Sequence, residues 1–125
     1  MPSCIQPVCI LDDDASVLSS LRELLASDGL EAETFDSPEK FIAYVQGHAV
    51  KLAVLDVWMP ATSGIEVQER LHEFSPGTRV IIITGRPEIG IRADALENGS
   101  YAFLVKPFED EIFLDLVHKA LDEPG

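Results

Sequence analysis

The chain is 125 residues long, enough for one domain with a real hydrophobic core and too short for two. Its 46% apolar and 25% charged residues are ordinary globular usage and exclude a disordered chain. A net charge of −13 at pH 7 repels a phosphate backbone, which argues against direct nucleic-acid binding by this domain.

The apolar run Val8-Cys9-Ile10-Leu11 predicts a buried first strand that runs straight into Asp12-Asp13-Asp14. Val17, Leu18, Leu21, Leu24 and Leu25 then recur at helical spacing, and Gly29 closes that helix. Glu31 to Phe35 alternates polar and apolar, as an edge strand does. Ser37-Pro38 supplies an N-cap and a first-turn proline for a second helix, whose stripe is Phe41, Ile42 and Val45 and whose end is near Gly47.

Leu52-Ala-Val-Leu-Asp56 is a third, buried strand that stops at one carboxylate, and Trp58, Met59, Pro60, Ala61, Thr62, Ser63 and Gly64 form or lead into the loop behind it. Ile65, Val67, Leu71 and Phe74 mark a third helix, stopped by Ser75-Pro76-Gly77. Val80 to Ile83 is a fully apolar fourth strand ending in Thr84-Gly85. A weaker helix is expected from Pro87 to Asn98, with Ile89, Ile91, Ala93 and Leu96 as its apolar positions, Gly90 as a weak point and Gly99 as its end. Tyr101 to Val105 is a fifth strand, followed by Lys106-Pro107. The last helix carries Glu109, Asp110 and Glu111 in its first turn and His118 and Lys119 near its end, which suits the helix dipole. Its inner stripe is Ile112, Phe113, Leu116, Val117 and Ala120.

Five strands alternating with five helices imply an α/β fold with a mainly parallel sheet covered on both faces. Right-handed crossovers and this length favour a flavodoxin-like doubly wound (βα)5 domain, a five-stranded parallel sheet in strand order 2-1-3-4-5, spanning residues 1–125. That order brings Asp12 and Asp13 beside Asp56 and puts Thr84 and Lys106 on the same rim. Three close carboxylates either share protons or hold a cation, and an oxygen-only site open to solvent favours Mg²⁺. Lys106 can contact a phosphoryl oxygen and Thr84 can donate one hydroxyl hydrogen bond to it. Together these are the equipment for phosphoryl transfer to an aspartate.

In order, each at its own strand end, Asp12-Asp13, Asp56 with Met59-Pro60 and Gly64 behind it, Thr84-Gly85 and Lys106-Pro107-Phe108 resemble the receiver domain of two-component response regulators, over Val8 to Leu121. The Ile-Thr-Gly and Lys-Pro-Phe-Glu-Asp wording is most similar to the FixJ-type branch. The resemblance implies that Asp56 is the phosphoacceptor for a sensor histidine kinase. It implies Asp13 as a direct Mg²⁺ ligand, Asp12 acting mainly through water, and the Trp58 backbone carbonyl completing the set. Lys106 would grip the phosphoryl group, next to a cis Lys106–Pro107 bond. Thr84 and Phe103 would be the switch pair, although a mid-strand aromatic such as Phe103 is also ordinary core. Asp14 matches the third acidic position, where a plain N-cap is an equal reading. Trp58 and Arg86 are bulkier or more charged than is usual beside the acceptor, and are expected to shield the acyl phosphate and lengthen its life.

The implied protein is a switch rather than a turnover enzyme, catalysing only its own phosphoryl transfer and autodephosphorylation. The fourth helix, fifth strand and fifth helix would present a changed surface to an effector domain or partner, with a homodimer on phosphorylation, in transcription regulation. Three other classes fit less well. A haloacid-dehalogenase-like phosphohydrolase needs a second Asp where Trp58 stands, a flavodoxin-like carrier needs a phosphate loop after the first strand, and a pseudo-receiver lacks one of the acidic, Thr or Lys residues present here. Cys4 and Cys9 make no metal or redox motif, and Cys9 is expected as a buried thiol. His48, His72 and His118 are expected to be solvated. With no apolar span of membrane length and no signal-peptide pattern, the chain is expected to be soluble and cytoplasmic. The tail from Leu121 to Gly125 is where a linker to a DNA-binding domain often begins.

Overall fold

A computed structural model describes residues 7–59, 62–86 and 88–122, with the backbone alone at Phe74. Cys4, Pro60, Ala61, Pro87 and residues 123–125, named above, lie outside the described residues. The elements alternate without interruption: β1 (Val8–Leu11), α1 (Ala15–Ser27), β2 (Ala32–Phe35), α2 (Pro38–Gly47), β3 (Leu52–Asp56), α3 (Gly64–Phe74), β4 (Arg79–Thr84), α4 (Ile91–Glu97), β5 (Ala102–Val105) and α5 (Asp110–Asp122). All strand pairs are parallel, and the sheet order is β2-β1-β3-β4-β5, as expected from the sequence.

The continuous apolar strands are explained by two separate cores. Cys9, Leu11, Ala53, Leu55, Val80 and Ile82 face α2, α3 and α4. Val8, Ile10, Leu52, Val54, Ile81 and Ile83 face α1 and α5. Successive strand residues point to opposite faces, so a central parallel strand must be apolar at every position. Burial pushes the Cys9 thiol up to about 12, so it is an unreactive core group.

Local signals set the helix ends. Asp14 caps α1, its carboxylate accepting from Ser16 N–H at 2.9 Å. The Ser16 hydroxyl and N–H hold the Asp14 carboxyl below its ordinary value. The helix ends in a double hydrogen bond, Gly29 N–H to Ala26 O and Leu30 N–H to Leu25 O, which needs the left-handed φ of +77° that Gly29 adopts. Ser37 and Pro38 begin α2 as expected.

The fourth helical segment differs from its sequence pattern. It begins at Ile91, not Pro87, because Gly90 sits at φ +89° and caps the helix from outside it. Ile89 is fully exposed, Ala93 points outward and Leu96 is largely exposed, while Ala95, four residues after half-buried Ile91, is the one buried position. In α5, Ile112 is exposed and the buried stripe narrows to Phe113, Val117 and Ala120, which join the core formed with α1 and the sheet. The histidines are not simply solvated either. His48 stacks on Tyr44 at 3.9 Å between ring centroids, and His118 Nε2 meets the Asp28 carboxylate at the end of α1; His72 is exposed. Among the described residues no helix is long and apolar enough to cross a membrane.

Candidate functional site

The site is built at the point where the chain leaves β1 to one side of the sheet and β3 to the other. Leu11 lies opposite Leu55, so the next residues, Asp12 and Asp56, emerge side by side. Thr84 ends β4 at the same rim, level with Val105, and Lys106 follows. Lys106 N–H donates to Thr84 O at 2.7 Å, which fixes where the lysine departs from the sheet.

Asp12 and Asp56 are 0% and 4% exposed, whereas Asp13 is open to solvent. One carboxylate oxygen from each of the three lies within 4.8 Å of the others. Lys106 Nζ donates to Asp12 Oδ2 at 2.9 Å and stands 3.3 Å from Asp56 Oδ1. Asp12 also accepts the Asp14 N–H through its other oxygen, at 2.9 Å. Asp56 is less well served. Burial, then the neighbouring Asp12 charge, push its carboxyl up to about 6, and Lys106 only partly opposes them. For Lys106 itself, burial pulls the ammonium down, but the hydrogen bond and charge of Asp12, followed by Asp56, outweigh it and hold the group above its ordinary value. The result is a buried carboxylate with an incompletely neutralised charge. That donor set, all oxygen with one member facing water, fits a small hard cation.

The loop behind Asp56 is tightly specified. Gly64 N–H donates to Val57 O at 3.0 Å, Trp58 bridges to Ser63, and the Ser63 hydroxyl caps α3 by accepting Ile65 N–H at 3.0 Å. A Cβ at Gly64 would stand 2.2 Å from the Asp56 carbonyl oxygen, so only glycine permits this approach. The sequence marks Gly64 as a turn residue; its contact with the Asp56 backbone is visible only in the fold.

Trp58 and Arg86, 28 residues apart, are joined. The indole N–H donates to Arg86 O at 2.8 Å, and the Arg86 guanidinium lies 4.7 Å from the ring centroid. With Met59 and Asp13 they line an open cavity of about 280 Å³ next to the carboxylates. Thr84 is fully buried and engaged with the same residue: its hydroxyl donates to Arg86 O at 3.2 Å and accepts Arg86 N–H at 3.0 Å. Phe103 stands apart from the carboxylates. It is half-buried on β5 opposite Ile82, one step back on the face that Thr84 shares, with the Arg92 guanidinium of α4 6.0 Å from its ring. Asp14 is not among the clustered acids and serves as the α1 cap. The Lys106–Pro107 bond is cis.

Comparisons with known proteins agree with this fold. The sequence model of the response regulator receiver domain matches residues 8–118. The response regulator protein TodT of Pseudomonas putida is 38% identical over 114 residues, covering 91% of this chain and 50% of TodT. The transcriptional regulatory protein FixJ of Bradyrhizobium diazoefficiens is 32% identical over 114 residues, covering 91% of this chain and 56% of FixJ. The chain thus spans about half the length of these curated relatives. The solution structure of the beryllofluoride-activated NtrC4 receiver domain dimer superposes with a TM-score of 0.87 at 33% identity, over 91% of this chain and 94% of that one. The parallel sheet in order 2-1-3-4-5, the acidic rim at its switch point and the match over residues 8–118 lead to one conclusion: the chain belongs to the family of response regulator receiver domains.

Proposed function

We propose that this domain is a phosphorylation-activated switch of a two-component system, in which Asp56 accepts a phosphoryl group from a phosphohistidine of a sensor histidine kinase. The observation that carries the reading is Asp56 itself: a buried carboxylate, raised to about 6, with a lysine 3.3 Å away and two further carboxylates beside it. An Asp56 oxygen attacks phosphorus, the phosphorus–nitrogen bond breaks with its electron pair going to that nitrogen, and the histidine leaves as neutral imidazole because its other ring nitrogen already carries a proton. Mg²⁺, held by Asp13 and Asp56 directly, by Asp12 through water and by the Trp58 carbonyl, would supply charge neutralisation for the incoming phosphoryl oxygens.

Lys106 stays bonded to Asp12 and offers its remaining protons to a phosphoryl oxygen. Thr84 turns its hydroxyl from Arg86 O to the same group, and Phe103 follows inward, leaving Arg92. These movements alter the surface of α4, β5 and α5, where Leu96, Val105 and Ile112 are exposed. That surface would meet an effector domain or partner protein, or a second copy of the domain, as the named NtrC4 dimer suggests; the output would be transcription regulation, as the name of FixJ does. Trp58 and Arg86, packed on each other in the cavity beside the carboxylates, would slow hydrolysis of the acyl phosphate. The domain turns over no other substrate. It would act in the cytoplasm, where such kinases present their phosphohistidine.

The test is incubation with acetyl phosphate and Mg²⁺ followed by mass spectrometry. A base-labile phosphoryl adduct on wild type, lost in Asp56→Asn, is expected; no adduct on wild type, or its persistence in the variant, would overturn the assignment.

A further inference from the structure

Among the described residues, two buried side-chain polar atoms have no hydrogen-bond partner within the protein, Gln68 Oε1 and Ser100 Oγ. Buried polar groups are nearly always paired, so each such atom asks for a physical reason. Both belong to one junction, between α3 and the end of α4. Gln68 is 2% exposed on α3, and its Nε2 donates to the backbone oxygen of Asn98 at 3.1 Å. Ser100 closes the turn after α4, its N–H donating to Ala95 O at 3.1 Å.

The two ends of α4 are held very differently. At the N-terminal end Gly90 provides no side-chain cap, and Ile89 before it is fully exposed. At the C-terminal end, Gly99 N–H bonds Leu96 O, Asn98 Nδ2 bonds Asp94 O, and the Gln68 amide fastens the turn to α3. The middle is held by buried Ala95 and by the Arg92 guanidinium over Phe103. A cavity of about 20 Å³, the size of one water, is lined by Gln68, Thr78, Asn98 and Gly99 among others at this turn. An apolar side chain at position 68 would fill the same place without an unpaired oxygen, so the amide's bond to Asn98 is what its burial achieves.

We infer that Gln68 is the pivot of α4: its amide fixes the C-terminal end of the helix to α3 while the N-terminal end swings. This rests on the reading that phosphorylation of Asp56 repositions α4. Gln68 is a positioning residue and touches no reacting atom.

Amide hydrogen exchange, resolved by residue, tests this on the whole chain with and without acetyl phosphate and Mg²⁺, the adduct being checked by mass. In wild type, phosphorylation should speed exchange at Ile91 and Asp94, which donate to Glu88 O and Gly90 O, while Asn98, Gly99 and Ser100 hold their protection. In Gln68→Met those last three amides should exchange about tenfold faster, with or without phosphate. The melting midpoint should change little, because one unpaired oxygen is removed while the Asn98 oxygen loses its donor. Gln68→Leu gives a second folded background if the methionine variant melts early. Unchanged protection of the three amides in a folded variant would overturn the pivot. So would equal loosening of both ends in wild type, which leaves the switch reading intact. A phosphorylated wild type with no change anywhere in α4 would overturn the switch reading, and the pivot with it.

Discussion

Asp56 carries a cost that the rest of the domain tolerates. Its carboxyl is raised to about 6, against about 4 in an unfolded chain, so between those values the folded protein keeps a proton that the unfolded chain has released. Stability contributed by this residue therefore falls as pH rises from about 4 to about 6 and stays low above that. Asp56→Asn should raise the free energy of unfolding by about 1–3 kcal/mol near neutral pH, with the gain disappearing below about pH 4. Urea denaturation at several pH values measures it; a gain that is the same at all pH values would assign it to packing instead. Gly64 carries the opposite constraint. A methyl group 2.2 Å from the Asp56 carbonyl forces the loop to shift, so Gly64→Ala should cost about 2–4 kcal/mol and slow phosphoryl uptake at least about tenfold. Both residues stand out in the sequence, Asp56 as the charge that stops an apolar run and Gly64 as a turn. The raised carboxyl and the steric need do not, because both arise from groups that the fold brings in.

At the level of elements, the loops after β3 and β4 act as one piece. The Trp58 indole N–H on Arg86 O, the guanidinium over the ring and the Thr84 hydroxyl on the same backbone tie the acceptor loop to the switch residue. Trp58→Asn removes both the ring and the long reach of the indole N–H. The half-life of the phosphorylated protein should fall about five- to tenfold, the equivalent of losing one exposed hydrogen bond and one cation–π contact. An unchanged half-life would remove the shielding role. The sequence points to both residues but not to their contact. It also misreads α4, where seven residues offer too little pattern to separate Ala93 from Ala95 or to place Gly90 outside the helix. Gln68 shows the same weakness from the other side: it lies one residue after buried Val67 and three before buried Leu71, on the inward stripe, yet a polar residue there reads as surface.

Across the whole molecule the dominant quantity is charge. A formal −13 on 125 residues makes the folded state repel itself, and the acidic rim adds to the effect. Raising NaCl from about 0.05 to about 0.5 M should therefore raise the melting midpoint by several degrees, as the screening length shortens below the spacing of surface charges. A midpoint independent of salt would show that the local pairings already neutralise the repulsion. The same charge predicts that any DNA contact by a longer protein containing this domain is made by another part of it.

The amino-acid sequence by itself determined the alternation of strands and helices, the order of the sheet and the identity of the residues on its rim. Those features depend on local periodicity, on turn residues and on crossover handedness, which act over short stretches of chain. The tertiary structure alone decided that Asp12 and Asp56 are buried while Asp13 is open, that Lys106 bonds Asp12 more closely than Asp56, and that Trp58 clamps Arg86. It alone joined Gln68 to the end of α4. Each of these is set by distance and desolvation between groups far apart in the chain, and no sequence pattern encodes either quantity directly.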